Sequence, residues 1–403
     1  MAPARGLDDN LAAMDMRRRF LALQTVLDEH QDLWRPQPFH GRDLPWRTRR
    51  PALAAAVDAL SDEAVTALEA SPGALSDWMQ AQVPSLGDLS SLLALPALPV
   101  QALAPVGPHF GWHIPGRKQA QIEAFAHHVI DPEGPLLEWC AGKGHLGRRL
   151  AVGHAQPVTS VEIDPVLVAE CESLARRARI SQTPVCADAL MGATRTHVAG
   201  AHVVALHACG ELHRTLVRHA GDDGARGYSI APCCYHRWAE PVYAPLSDMA
   251  TLALDGSALR LAVTESVTAP GRERRALARS QAFKLGFVAL RARASGVSYQ
   301  RFKPVPPQWS SGSFEAFCRQ LAAREQLLLP DTLDWMDWER LGWQRQAEVA
   351  RDSLVRHAFR RAIEVWLVGD MALALEAAGF EVAVGAFCER PLTPRNLLIQ
   401  ARR

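Results

Sequence analysis

Apolar positions first recur at helical spacing over 14–29, where Met16, Phe20, Leu23, Val26 and Leu27 fall on one face. The spacing predicts further helices over 53–68 and 75–83, punctuated by Ser61-Asp62-Glu63 and Ser71-Pro72-Gly73. Pro36, Pro38 and Pro45 mark a loop, and Pro96, Pro99, Pro105 and Pro108 a linker. After a turn at 113–119 and a helix carrying Ile122, Phe125, Ala126 and Val129, the pattern changes. Short apolar runs at 136–140, 158–162, 183–187, 202–206 and 227–231 alternate with helical stretches ending near 153 and covering 165–177 and 211–219. Strands and helices in this alternation predict an α/β fold with a parallel, doubly wound sheet, Rossmann-like, with helices on both faces. Residues from about 240 to 358 read as a helical insertion with a proline-rich loop at 304–307 and a tryptophan cluster at Trp335, Trp338 and Trp343. A long amphipathic helix over 359–378 and two closing strands at 380–388 and 396–400 complete the chain. The expected organisation is a helical accessory domain over 1–105 and an α/β domain over 106–403 that carries the insertion.

Composition narrows this picture only slightly. With 403 residues the chain has room for two domains, or for one of about 250 residues with an appendage. Its 48% hydrophobic and 22% charged residues are those of an ordinary soluble globular protein. The net charge of +1 gives no global basic field for nucleic acid. Lysine stands only at 118, 143, 284 and 303, so the positive charge is mostly arginine, a bias that genome composition explains as readily as phosphate binding. No apolar run approaches a membrane span and the start lacks an apolar signal region, so a cytoplasmic location is expected. The eight cysteines include no CxxC pair and are expected as reduced thiols.

Chemistry concentrates at 136–147, where an apolar run ends at Glu138, turns through Gly142, Gly144 and Gly147, and enters the helical pattern of Leu146, Leu150 and Val152. This is a strand, a tight turn and a helix start, the geometry that lets a nucleotide-like ligand lie against bare backbone. Alone, the glycine pattern reads first as a dinucleotide turn. Glu138, Glu162 and Asp188 end three successive strands and His207 ends the fourth, so all four are expected to line one crevice. A pyrophosphate is repelled by an acid before the turn. S-adenosylmethionine has no phosphate and carries an ammonium and a sulfonium, which makes a carboxylate at Glu138 electrostatically sensible. Taken singly, Glu162 and Asp188 also read as a helix cap and a solvated loop acid.

The segment 138–147, the Val-Glu-Ile-Asp ending of the second strand, Ala187–Leu190, Leu206–Leu212 and Pro-Cys-Cys-Tyr-His at 232–236 together resemble the class I S-adenosylmethionine-dependent methyltransferases. More narrowly they resemble a branch with a Cys-Cys-Tyr-His signature, which includes the methyltransferase domain of the glutathione S-transferase C-terminal domain-containing protein. The tRNA 2′-O-methyltransferases look more distant. The resemblance covers about 113–238. Thr393–Asn396 is similar to the family's closing segment, and 113–118 to its Pro-Lys-Lys segment. It implies a class I methyltransferase sheet with S-adenosylmethionine as cofactor. Glu138, Gly142 and Gly144 would form the donor turn, Glu162 would hold the ribose, and Asp188 with Ala189 the adenine. Cys140, Lys143, His145, Leu146, Ile163 and His207 are grouped with these as cofactor-binding. His207–Gly210 and 232–236 would face the transferred methyl, giving Cys209, Cys233, Cys234, Tyr235 and His236 as catalytic candidates.

Three readings of the cysteines compete. A thiolate can act as nucleophile if its pKa is lowered. The same thiols, with the histidines, can bind zinc. Or the thiols pack beneath the pocket while Tyr235 and His236 shape it or move a proton. Adjacent cysteines supply two ligands to one tetrahedral zinc only with strain, so no metal is expected and the pocket-shaping reading is preferred. The missing Asn/Asp-Pro-Pro-Tyr motif after the fourth strand argues against base-amine methylation. RNA, as tRNA or rRNA, is the expected substrate, from the relatives and from arginines at 272–293 that can track phosphates. A protein or small-molecule acceptor, and a non-catalytic adaptor, are the alternatives.

Overall fold

The computed structural model describes residues 15–107, 110–112, 114–265, 271–296, 299, 302–330 and 332–403. Pro108, and the first residues of the stretches 14–29 and 113–119, lie outside them. The chain divides into two compact units. The first holds the described residues of Met1–Glu29, Asp88–Glu265 and Arg360–Arg403; the second holds those of His30–Gly87 and Ser266–Phe359.

The first unit is built on seven strands: β1 (Leu136–Trp139), β2 (Val158–Glu162), β3 (Gln182–Cys186), β4 (His202–Leu206), β5 (Gly227–Ala231), β6 (Glu381–Ala386) and β7 (Leu397–Arg402). Their order is β3-β2-β1-β4-β5-β7-β6. The first five run parallel, with Glu138 level with Ser160 on one side and Val204 on the other. β7 pairs antiparallel with both β5 and β6, so the expected closing pair inserts next to β5. Strand order reverses between β1 and β4, which puts a crevice at their carboxyl ends. The apolar runs of β1 and β5 are buried throughout, as strands covered on both faces require.

The helices of this unit that bear on the site are α1 (Met16–Glu29), α2 (Gly116–Ala126), α3 (His145–His154), α4 (Pro165–Ala178), α5 (Glu211–Arg218) and α6 (Arg360–Ala377). Their bounds lie within two residues of those expected, the ordinary scatter of helix ends, except that α2 ends at Ala126 and leaves Val129, expected on it, outside the helix. Two expectations fail for physical reasons. α6 is not amphipathic: every residue from Ala362 to Leu373 is buried, because α6 contacts β6 and β7 and also α1. The apolar face of α1 finds its partner there, with Phe20 stacked on Trp366 at 5.2 Å and Gln24 bonded to Met249 O and Thr251 N. The boundary expected near residue 105 is therefore not where the chain divides.

In the second unit, chain that reads as accessory domain (30–87) and chain that reads as insertion (271–359) fold together. Helices Gly271–Ser295 and Trp335–His357 cross at Gly286 and Gly342, where a Cβ on Gly342 would collide with Ala282 O. Phe283, Phe287, Phe314, Phe317 and Leu321 form its core. Arg345 reaches from the long helix to the carbonyls of Pro38 and Gly41 at 2.8 Å each. The single helix expected over 53–68 is two, Pro51–Asp58 and Asp62–Ala70, since Ser61 caps the second by accepting from Ala64 N–H. No helix of the described residues is long and apolar enough to cross a membrane.

Candidate active site

The chain leaves β1 through three left-handed residues, Cys140 (φ 59°), Gly142 (φ 58°) and Gly144 (φ 67°). Such angles are inexpensive only for glycine. At Gly144 space is lacking too, because a Cβ would collide with Cys171 Sγ. At Gly142 nothing lies within 4 Å of where a Cβ would point. The turn therefore presents bare backbone to the crevice and delivers the chain to the N-terminus of α3.

Glu138 does not present its charge to that crevice. It is 4% exposed, accepts from Ser160 Oγ at 2.8 Å, and is held by the amides of Leu146 and Gly147 in the first turn of α3. Burial pushes its carboxyl up to about 7, against those bonds, which pull it down. Gln182 Nε2 donates to Ser160 Oγ and to Gly144 O, both at 2.9 Å. One buried chain of polar groups thus ties β3, β2 and β1 to the turn, and Glu138 acts on the crevice by fixing the turn's shape. Ser160 and Gln182 went unnoticed in the sequence, where a Ser and a Gln in short strands carry no motif.

Glu162 at the end of β2 accepts from Gly142 N (2.8 Å) on one oxygen and from Ile163 N and Asp164 N (2.9 and 3.1 Å) on the other. Asp188 Oδ1 accepts from Leu190 N at 2.9 Å, and the Asp188 carbonyl takes Thr194 Oγ1. Ala189 is buried. Around these acids Ile163, Leu190 and Met191 are 60%, 44% and 60% exposed, an apolar lip of which only Ile163 was anticipated. Lys143 points elsewhere, pairing with Glu170 of α4 at 2.6 Å. His145 and Leu146 are buried at the start of α3, and Arg148 Nη2 donates to His145 Nδ1 at 3.2 Å. Burial, then Arg148, Lys118 and Lys143, lower His145 to about 4, so the ring is neutral. Lys118 on α2 is exposed, yet its charge reaches Glu138, His145 and His207. Its neighbour Arg117 bonds Leu392 O at 2.8 Å instead.

The loops after β4 and β5 meet beside the turn. His207 (φ 69°) is exposed at the end of β4. Gly210 (φ 57°) has its N–H on Cys233 O (3.0 Å), Glu211 N–H is on Arg237 O (3.2 Å), and a Cβ at Gly210 would collide with that Arg237 carbonyl. These contacts bring Cys209, Cys233 and Cys234 together, their Sγ atoms all within 4.8 Å of one another and the first two 3.4 Å apart. Bonds from Cys209 and Cys233, helped by Arg395 and His236, pull the Cys234 thiol well down, while Cys233 is held up. Tyr235, a catalytic candidate from the sequence, is 1% exposed and sits edge-on to buried His213 at 6.1 Å. Burial raises its hydroxyl well above the usual range, so it neither reaches an acceptor nor serves as a base. His236 is half-buried and burial lowers its pKa, leaving a neutral ring whose Nδ1 is enclosed with no hydrogen-bond partner among the described residues. A cavity of about 470 Å³ lined by Phe110, Trp112, Arg148 and Leu174 lies against α3 and α4 and contains none of these residues.

A parallel sheet with this strand order and its one antiparallel insertion, carrying a glycine turn after β1 and acids after β2 and β3, is the fold of class I methyltransferases. Residues 117–241 match the family model Methyltransf_32, described as a methyltransferase domain. The chain is an S-adenosylmethionine-dependent methyltransferase, an enzyme whose cofactor is S-adenosylmethionine. Among solved structures it is similar to an O-methyltransferase family protein from Burkholderia thailandensis, at 10% identity over 100% of this chain and 99% of that one, with a TM-score of 0.30. No curated protein matches the chain.

Proposed function

We propose that the enzyme methylates a nucleophile on a small molecule or a protein, with His236 taking the proton where the nucleophile must lose one. Three features support a cofactor lying here: the open backbone at Gly142, the Glu162 carboxylate beside it, and the apolar lip of Ile163, Leu190 and Met191. A flat purine fits against that lip, Asp188 has an oxygen left for its amino group, and Glu162 is the acceptor for ribose hydroxyls. Glu138 shapes the turn from beneath. When bound, the cofactor supplies an electrophilic methyl on a sulfonium. The chain's own task is to align the nucleophile and to accept its proton. Neutral His236 is suited to that and Tyr235 is not. The half-exposed ring of His236, neutral and with an Nδ1 that has no hydrogen-bond partner among the described residues, is the observation that carries this assignment, since Tyr235 is buried.

The acceptor class rests on where the arginines go. The RNA reading drew on 272–293, but Arg279 there donates to Gly312 O and lies over Phe283. Arg291 is buried, paired with Glu325 at 3.0 Å and close to the rings of Phe287 and Phe302. Both serve the second unit's own packing, so of the six arginines in that stretch Arg272, Arg274, Arg275 and Arg293 stay exposed for a phosphate. Labelling a cell extract with tritiated-methyl cofactor and the purified enzyme tests the proposal. Label that resists RNase and is lost to protease or dialysis is expected. Label lost to RNase alone would restore RNA as the acceptor, and no label with no binding of S-adenosylhomocysteine would end the site assignment.

A further inference from the structure

The three clustered thiols are not where a regular chain would put them. Successive side chains of an extended segment point to opposite sides, so Cys233 and Cys234, which follow β5, should diverge. They converge because Cys234 takes a left-handed backbone (φ 44°), a conformation that residues with a Cβ adopt only at a cost and only when their surroundings hold them there. Those surroundings are visible. Gly210 N–H on Cys233 O, Glu211 N–H on Arg237 O and Arg237 N–H on Cys234 O (2.8 Å) clamp the loop after β5 to the loop after β4, which delivers Cys209. The strain that adjacent cysteine ligands require is thus already present and already supported. All eight cysteines are free thiols.

We propose that Cys209, Cys233 and Cys234 form a binding site for a thiophilic divalent cation, zinc in the first instance, held by three thiolates with one position left open. A tetrahedral zinc with sulfur at about 2.3 Å sets its sulfurs about 3.8 Å apart, and the observed spacing of 3.4 Å for one pair and within 4.8 Å for all three brackets that value. No fourth histidine, cysteine or carboxylate of the described residues joins the group at that range. Three protein ligands and an open position is the arrangement of reactive rather than purely structural zinc. Charge agrees with geometry. Three thiolates this close repel one another, and a divalent cation between them offsets that repulsion; thiols give up protons to solvent as it binds, so binding tightens as pH rises. The assignment is independent of the acceptor and of the donor site.

The test uses the full chain purified with reductant, stripped of metal, and titrated with Co2+ and then Zn2+. Thiolate-to-cobalt charge-transfer absorption saturating at about one equivalent, and bleached by zinc, is expected. Cys209→Ser and Cys234→Ser should each weaken cobalt binding by at least about a hundredfold, whereas Cys388→Ser should not. S-adenosylhomocysteine binding measured on the same samples reports the donor site separately. Absence of the charge-transfer band in wild-type protein would overturn the proposal even if a variant fails to fold. So would an unchanged titration in the two serine variants.

Discussion

His236 is the residue on which the chemical proposal turns, because its ring is neutral and its Nδ1 has no hydrogen-bond partner among the described residues. Replacing it by alanine removes a proton acceptor and leaves Gly142, Glu162 and Asp188 in place. For the acceptor that labelling identifies, His236→Ala should lower turnover by about a hundredfold or more. Affinity for S-adenosylhomocysteine, read by calorimetry, should stay within about twofold. Lost affinity with intact turnover would instead make His236 part of the donor site. The residues around it differ in how readable they were. Gly142, Glu162 and Asp188 announce themselves because backbone exposure and strand-end acids leave spacing in the sequence. Orientation leaves none: nothing in Leu-Leu-Glu-Trp says that Glu138 turns under the helix, and nothing in Cys-Cys-Tyr-His says that Tyr235 goes into the core.

Among the elements, α6 decides how the loop after β5 is held. Asp370 on this helix is fully buried and accepts from Tyr243 Oη (2.7 Å), Leu246 N (2.9 Å) and Ser247 N (2.8 Å). Tyr243 in turn lies under Arg214 of α5 at 4.2 Å. Asp370→Ala would leave a buried hydroxyl and two half-buried amides without these partners, a loss of about 3 kcal/mol in urea unfolding. Asp370→Asn keeps one acceptor and should cost about half that. A loss below about 1 kcal/mol for the alanine variant would mean that the loop finds other partners or water. The strands of the sheet were legible to within two residues because each is an apolar run bounded by turn residues. The pairing of 30–87 with 271–359 was not, because hydrophobic periodicity marks a face to be covered and says nothing about which distant segment covers it. α6 was misread for the same reason, as its two sides are buried by partners far apart in the chain.

At the scale of the whole molecule, two groups within the same sheet bind protons in opposite senses, and this gives stability a pH dependence that can be taken apart. His202, at the start of β4, is 4% exposed with Nε2 3.0 Å from Ser229 Oγ, and burial, then Arg402 and His154, lower it to about 4. Unfolded, it titrates near about 6.5. Its contribution is therefore complete above that pH and is lost as pH falls toward 4, because only the unfolded chain takes up the proton. Glu138 is raised to about 7 from an unfolded value near about 4.3, so in the interval between them it is the folded state that holds the extra proton. Its contribution is complete at acid pH and is lost as pH rises through 7. Subtracting wild-type from variant stability isolates each group. The difference for His202→Gln should fall as pH rises from 4 to 6.5, and that for Glu138→Gln should rise between 5 and 7, each with a slope of up to about 1.4 kcal/mol per pH unit. Urea unfolding at half-unit steps from pH 4 to 8 measures both. A flat difference would mean that the group titrates alike in the folded and unfolded chain, and slopes of the same sign would mean that one of the two shifts runs the other way. Opposite slopes would mean that the brace beneath the glycine turn is held together partly by a proton, and that it loosens as that proton leaves near neutral pH.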